Sequence, residues 1–179
     1  MSTSQVDMMV LTVPAERLRD YNAFLAREWL VTNGLGGYAS QSLLCAPTRR
    51  YHGLFVPDLP APWGRTVMMP RFDDDVLVDG EAVFLSGVEF SDGRLESNLL
   101  SVFDGFSRER QTPVWRIRLK GRRLEKRVIM PYGQALTQLL GHRTELPSAE
   151  HGGRTLAAQD EVGDAVVRRR ALGLREVER

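Results

Sequence analysis

The amino-acid sequence predicts an all-β protein folded as an antiparallel β-sandwich, complete or lacking some strands, and three observations support this fold class. Short apolar or alternating segments follow one another between turn-forming residues. No helical periodicity separates them, as it would in a protein of alternating strands and helices. All aromatic residues lie between Tyr21 and Tyr132, and 179 residues suffice for one sizeable core.

Two β-hairpins are the clearest elements. The segment VLVDGEAVFL (76–85) holds two β-rich runs joined by Asp79-Gly80, a dipeptide whose tolerance of positive φ suits a two-residue hairpin turn. In VWRIRLKGRRLEKRVIM (114–130), apolar and polar residues alternate on both sides of Lys120-Gly121, less regularly on the second side. This alternation predicts one buried and one wet face, with Trp115 on the buried face.

Four further segments have the composition of strands: EWLVT (28–32), GYASQSLLC (37–45), HGLFVPD (52–58) and RTVMMPRF (65–72). One short helix is predicted ahead of them, opened by Pro14, with Leu18, Tyr21 and Leu25 on one apolar stripe. After Gln134 we recognise no strand pattern, so the C-terminal tail is predicted to be weakly structured, that is, disordered or helical.

These patterns divide the chain into three regions. Residues 1–24 form an N-terminal segment that carries the helix. Residues 25–134 form the β-sandwich domain, and residues 135–179 form a divergent tail.

Charge and composition argue against several classes of protein. The formal net charge is +1, from 24 basic and 23 acidic residues, so no overall field recruits nucleic acid or an anionic membrane. No apolar run reaches the roughly 18 residues that span a bilayer, and the first residues lack the features of a secretion signal. The single cysteine, Cys45, is expected to be a buried small hydrophobe, and a cytoplasmic location is predicted.

The glycine-rich stretch NGLGGYASQS (33–42) raises the question of a phosphate-binding loop. It lacks the Lys-Ser/Thr pair of a Walker A loop and the spacing of a dinucleotide-binding loop, and a strand rather than a helix follows it. A tight turn or bulge, with Asn33 and Gly34 at positive φ, is favoured over a nucleotide site.

The acidic run FDDDV (72–76) invites a metal site or acid–base catalysis. Consecutive residues of a strand point to opposite faces, so solvated loop carboxylates are favoured over metal ligands. The three histidines, His52, His142 and His151, do not have zinc-ligand spacing. We therefore predict no metal, no cofactor and no catalytic residue.

The polar stretch TRRYHGLF (48–55) has two interpretations. In the first it is a polar lead-in to the strand, with Gly53 at a bulge or close approach, and adjacent residues such as Arg49 and Arg50 face opposite ways. In the second, arginine and histidine donors with the ring of Tyr51 line a groove suited to hydroxyl-rich or anionic ligands.

Four segments, in order over roughly residues 25–134, resemble the N-terminal domain of bacterial and archaeal glycogen debranching enzymes of the amylo-α-1,6-glucosidase type. They are EWLVTNGLGGYAS, TRRYHGLFV, GRTVMMPRFDDDV and LEKRVIMPYGQ. The first two together are quite specific, whereas either alone is a weak signal.

The resemblance implies a role in glycogen catabolism. In that family the β-sandwich precedes an (α/α)6 barrel, whose paired carboxylates hydrolyse the α-1,6 branch. We expect the barrel to be absent from this chain, as in a truncated enzyme, so the chain alone is not expected to be catalytic. The implied partners are α-glucan, as glycogen or branched dextrin, and a separate catalytic-domain polypeptide.

The resemblance also implies a set of site residues. Asn33, Arg49, Arg50, Tyr51 and His52 correspond to loops on the side of the sandwich that faces the barrel. There they are expected to bind glucan or to hold the domain interface.

Two other classes of protein stay open at this point. An independent carbohydrate-binding module would need an aromatic platform, for which Trp63 and Trp115 are candidates. A nucleic-acid-binding protein is suggested by the basic stretches RRYH, KGRRLEKR and RRR, although the near-neutral net charge argues against it.

Overall fold

The computed structural model describes residues 10–14, 20–90, 92, 94–144 and 165–171. Two short helices lie among the strands in this part of the chain, α1 (Tyr21–Leu25) and α2 (Leu99–Val102). The strands are β1 (Val10–Pro14), β2 (Glu28–Thr32), β3 (Tyr38–Ser42), β4 (Gly53–Val56), β5 (Asp58–Leu59), β6 (Gly64–Arg65), β7 (Phe72–Val78), β8 (Glu81–Phe84), β9 (Val88–Glu89), β10 (Leu95–Glu96), β11 (Phe103–Glu109), β12 (Thr112–Leu119), β13 (Arg122–Ile129), β14 (Gln138–Thr144) and β15 (Ala165–Ala171).

Antiparallel sheets form the two layers of the fold. One layer is a five-stranded sheet in the order β1-β11-β12-β13-β14. Facing it are two three-stranded sheets, β2-β3-β4 and β15-β7-β8, whose inward residues share one apolar core with the first layer. The rings of Trp29 on β2 and Trp115 on β12 meet edge to face between the layers, with centroids 5.5 Å apart. The predicted all-β sandwich is confirmed.

Both predicted hairpins are confirmed with their turns. Asp79 and Gly80 have φ angles of 51° and 79°, and they join β7 to β8. Lys120 and Gly121 have φ angles of 48° and 74°, and they join β12 to β13. Positive φ at both central residues gives the turn that matches the twist of the paired strands.

The N-terminal helix is shorter than predicted. Pro14 does not open it but ends β1, where it pairs with Gly105 at the edge of the sheet, a place that tolerates the missing N–H of proline. The helix begins at Tyr21 because Asp20 caps it: its carboxylate accepts the backbone N–H of Ala23 at 2.8 Å. Leu18, the first residue of the predicted stripe, lies outside the described residues.

The prediction of a weakly structured or helical tail after residue 134 is wrong where the structure describes that region, because two strands lie there. β14 pairs with β13 along its whole length, and Leu139 of β14 packs against the core. β15 pairs with β7. The remaining residues of the predicted tail, 145–164 and 172–179, lie outside the described part. The predicted strand at 65–72 is also reduced, to β6 and one bridge between Phe55 and Met69.

Trp115 connects the two layers of the sandwich. Its side chain is fully buried, and its indole N–H donates to the carbonyl of Leu43 at 2.8 Å. Leu43 belongs to a buried loop, 43–46, which follows β3. Other backbone groups of this loop are also paired, for example the carbonyl of Leu44 with the N–H of Gly87 at 2.8 Å. The loop can be buried because its polar backbone atoms have partners.

A charged pair lies inside the core beside Trp115. The ammonium group of Lys126 contacts the carboxylate of Asp74, and both side chains are buried. Lys126 also donates to the sulfur of Cys45 at 3.3 Å and lies 5.7 Å from the centroid of the Trp115 ring. Burial opposes the charge of Lys126, but the adjacent Cys45 and Asp74 groups outweigh it and hold the lysine pKa above its ordinary value.

The structure corrects the prediction for the acidic run and confirms the prediction that Cys45 is buried. The acidic run FDDDV is not a solvated loop, since it forms most of β7 and Asp74 points into the core. Its carboxylate can be buried because Lys126 is buried opposite it. Cys45 is buried as predicted, and burial raises the pKa of its thiol.

Replacing Trp115 with phenylalanine should destabilise the protein by about 2–4 kcal/mol, because the Leu43 carbonyl loses its partner and a small cavity opens. Urea denaturation followed by circular dichroism measures the change. Trp63→Phe is the matched control, since Trp63 is 71% exposed and its replacement should change stability by no more than about 0.5 kcal/mol. Equal effects of the two substitutions would contradict the connecting role of Trp115.

Replacing Lys126 with methionine should cost about 3–5 kcal/mol, because the Asp74 carboxylate stays buried without its lysine partner. The double variant Lys126→Met, Asp74→Leu should recover most of this loss, since an apolar pair of similar size removes both charges. The same urea titrations measure the coupling. Additive losses in the double variant would show that the two groups do not act as a pair.

Candidate functional site

The two motifs singled out in the sequence lie next to each other at one end of the sandwich. We call this surface the loop face. It consists of the glycine loop 33–37, the segment 48–52, the loop 131–134 and the side chains of Glu28, Tyr38 and Asp58. Tyr38 links the first two parts, because its hydroxyl donates to the carbonyl of Tyr51 at 2.9 Å.

Asn33 organises the glycine loop from within. Its side-chain oxygen accepts the N–H groups of Leu35 at 2.9 Å and Gly37 at 3.1 Å. Its side-chain nitrogen donates to the carbonyl of Gln134 at 3.1 Å. The prediction of positive φ is correct for Gly34, at 74°, but wrong for Asn33. Because Asn33 is buried and its side chain caps the turn, its role is to hold the loop in shape.

Two side chains lie directly against the glycine loop. A side chain at Gly34 would collide with the ring of Tyr132, and one at Gly36 would collide with the carboxylate of Asp58. Tyr132 is 87% exposed, and its loop is fixed by the bond from the Gly133 N–H to the Asn33 carbonyl, at 2.7 Å. Glycine is required here for close approach as well as for φ.

The sequence analysis did not identify Tyr132, Asp58 or Glu28 as site residues. Tyr132 lies in MPYGQ, one of the four segments of the resemblance, which was therefore an available signal. Glu28 is the first residue of EWLVTNGLGGYAS, another of these segments, so the same signal was available for it. Asp58, on β5, lies outside all four segments, and nothing in its local sequence marks it.

Arg49 and His52 converge on the carboxylate of Glu28. The Arg49 guanidinium donates to Oε1 of Glu28, and Nε2 of His52 lies 3.6 Å from Oε2. On its other side, Nδ1 of His52 accepts the backbone N–H of Thr48 at 3.0 Å, which places the imidazole proton on Nε2, toward Glu28. His52 is buried, whereas the Arg49 side chain is 71% exposed.

Electrostatics keeps this group in one charge state near neutral pH. The hydrogen bond from Arg49 holds the pKa of Glu28 below its ordinary value. Burial lowers the pKa of His52, and the nearby Glu28 only partly opposes this. A neutral histidine therefore lies beside an ionised glutamate and an ionised arginine, so His52 supports the segment and does not add charge to it.

Arg50 and Tyr51 form the exposed part of the segment. The Arg50 guanidinium lies 5.3 Å from the centroid of the Tyr51 ring, in a cation–π contact, and Tyr51 is 54% exposed. The argument that Arg49 and Arg50 face opposite ways does not hold, because they lie in a turn closed by the His52 N–H on the Arg49 carbonyl, at 3.0 Å. Both guanidinium groups are exposed.

The predicted close approach at Gly53 is confirmed. A side chain there would press on Val56, Val67 and the carbonyl of Met69, so the segment enters β4 through a close approach. β3 and β4 also change register between Tyr38 and Ser40, which marks a bulge.

The loop face therefore presents two guanidinium groups, exposed phenol rings and carboxylates on a rigid frame. Such groups bind hydroxyl-rich ligands by stacking and hydrogen bonding. Within the described residues, no group of three or more His, Cys, Asp or Glu side chains could hold a metal ion. In the same part of the chain, no helix combines the length and apolar character that a membrane span requires.

Fold and site together define a β-sandwich module with a polar, aromatic loop face at one end. Residues 27–148 match the family model of the glycogen debranching enzyme N-terminal domain. The match covers more than half of the 179 residues, and the chain belongs to this family. Neither the curated proteins nor the solved structures contain a match to the chain. The predicted resemblance is confirmed, and the chain is an N-terminal module of a glycogen debranching enzyme.

Replacing His52 with glutamine should make stability less dependent on pH in the weakly acidic range. Since the folded pKa of His52 lies below 6.5, the unfolded chain binds a proton that the folded chain does not, and stability falls as pH drops below about 6.5. Glutamine can accept from Thr48 and donate to Glu28 without titrating. Urea denaturation at pH 7.5 and pH 5.5 should show a smaller difference for the variant, and an unchanged difference would contradict this role.

Proposed function

We propose that this N-terminal module binds α-glucan, as glycogen or branched dextrin, through its loop face. The observation that supports this most is the exposure of Tyr51 and Tyr132 on a frame fixed by hydrogen bonds. Both aromatic rings are more than half exposed, at 54% and 87%, although each is attached to an ordered turn. Aromatic rings that are held in place can stack on sugar faces at little cost in conformational entropy.

Polar groups beside these rings suit the hydroxyl groups of glucan. Arg50 lies against Tyr51, and Arg49 is exposed next to it. The carboxylate of Asp58 lies against the glycine loop. Arg65 is opposite Asp58 in the register of β5 and β6. Guanidinium donors and carboxylate acceptors can both bind sugar hydroxyls. Asn33 and His52 act in this proposal by holding the two loops, without contacting glucan.

Hydrolysis of the α-1,6 bond is assigned in this proposal to a catalytic barrel domain. A glycosidase needs a carboxylic acid whose pKa is raised, so that it can donate a proton near neutral pH. Glu28 has the opposite property, since Arg49 lowers its pKa. The loop face is thus suited to binding and not to proton donation by Glu28.

Packing against that barrel, in the same or a separate polypeptide, is the second function proposed for this end of the sandwich. Leu35, at the tip of the glycine loop, is 53% exposed beside Tyr132, and large exposed apolar side chains are typical of contact surfaces. A glucan held between the loop face and a barrel would satisfy both roles.

The alternative of an independent carbohydrate-binding module now depends on Trp63. Trp115 is unsuitable as a platform because it is fully buried. Trp63 lies in the turn between β5 and β6 and is 71% exposed.

The nucleic-acid alternative loses support because the described arginines of KGRRLEKR are engaged with acids. Arg127 lies 2.7 Å from Glu125 and 2.9 Å from Glu109. Arg122 lies 3.2 Å from Asp79. A phosphate backbone would have to compete with these carboxylates for each guanidinium group.

Affinity electrophoresis of the full chain in gels containing glycogen tests the glucan proposal. The chain should be retarded, and Tyr51→Ala and Tyr132→Ala should each raise the apparent dissociation constant roughly tenfold, as expected for central aromatic contacts. Phe90→Ala, an exposed aromatic outside the loop face, is the matched control and should leave retardation unchanged.

Trp63→Ala distinguishes glucan binding by the loop face from binding by an independent module that uses Trp63. Retardation that is lost with Trp63→Ala and kept with both tyrosine variants would favour an independent module built on the β5–β6 turn. Absence of any retardation of the unsubstituted chain would contradict glucan binding by the loop face.

A further inference from the structure

Two sequence motifs that the proposed function does not use lie opposite each other in the fold. The acidic run of β7 and the arginine run of β15 are paired strand to strand. The register pairs Asp73 with Arg170, Asp74 with Arg169 and Asp75 with Arg168. Each acidic position of one strand is therefore matched by a basic position of the other.

This register is the one that charge selects. Opposite charges at directly paired positions of an antiparallel sheet stabilise it, and like charges destabilise it. A slip by one residue leaves only two of the three acid–base pairs and turns every side chain to the other face. The three consecutive pairs thus favour one alignment of β15 over its neighbours.

Pairing with β15 covers an otherwise open edge of β7. On its other side β7 is paired with β8, so without β15 a seven-residue strand would present unpaired backbone groups. The middle acid, Asp74, already contacts Lys126 in the core. Asp73 is also engaged, since one of its carboxylate oxygens lies 3.2 Å from the guanidinium group of Arg71. Selection of the arriving strand therefore depends mainly on Asp75.

We propose that the edge of β7 is a strand-accepting surface that selects an arginine-rich segment by charge, and that residues 165–171 of the same chain are its occupant. The segment adds to the sheet by backbone pairing along its whole length, from Ala165 opposite Val78 to Ala171 opposite Phe72. Its docking weakens as salt screens the acid–base pairs.

Hydrogen exchange of the full chain, measured by mass spectrometry on peptides covering 165–171 and 72–78, tests this proposal. Asp75→Arg and Arg168→Asp should each speed exchange of the β15 amides roughly three- to tenfold, because one attractive pair becomes repulsive. The double variant, with the charges exchanged, should return to the original rate. Raising salt to about 1 M should speed exchange in the unsubstituted chain.

Asp92→Arg is the matched control, since it reverses an exposed aspartate that pairs with Arg94 in a turn. It should leave exchange in both peptides unchanged. Near-ultraviolet circular dichroism confirms that each variant keeps the Trp115 core.

Two results would overturn the proposal. Unchanged exchange in both single variants, or additive effects in the double variant, would show that charge does not select the strand. Protection of β15 that rises with protein concentration, together with a dimer in sedimentation, would show that the occupant is the segment of a second copy.

Discussion

The structure depends on how one layer of the sandwich is joined to the other, and Trp115 makes that connection. Its ring packs on Trp29 of the opposite layer, and its N–H is bonded to the buried 43–46 loop. The Lys126–Asp74 pair beside it places charges between the same two layers. Apolar contact alone would tolerate sliding, whereas a directional hydrogen bond and a buried ion pair define one arrangement.

The loop face inherits its geometry from this arrangement. Glu28 is on β2, the strand that carries Trp29 into the core, so the carboxylate that holds Arg49 and His52 is placed by the packing beneath it. The exposed side chains of the loop face are thereby separated from the residues that position them. Such a division allows a rigid binding surface to be built from loops.

Sequence reasoning was most successful where local chemistry decides the structure. The Asp79-Gly80 and Lys120-Gly121 turns and the alternation around Trp115 could be predicted, because turn geometry and sheet periodicity are local properties. Buried Asp74 could not, since its partner Lys126 is distant in sequence. β14 lacked a strong pattern and forms because β13 offers an edge. On the loop face, Asn33 shapes the turn through its side chain and not through the predicted positive φ. The contact of Tyr132 with the glycine loop joins segments distant in sequence, so no local pattern predicts it.

The hydrogen bond from Asn33 to the carbonyl of Gln134 joins residues 101 positions apart in the chain. On the ribosome, the glycine loop emerges long before its partner loop has been made, so it cannot adopt its final shape during most of translation. The loop face can thus be completed only after the strands up to β13 have been synthesised. An exchange of this surface between related proteins would have to carry both loops together, because either one alone would arrive without the groups that shape it.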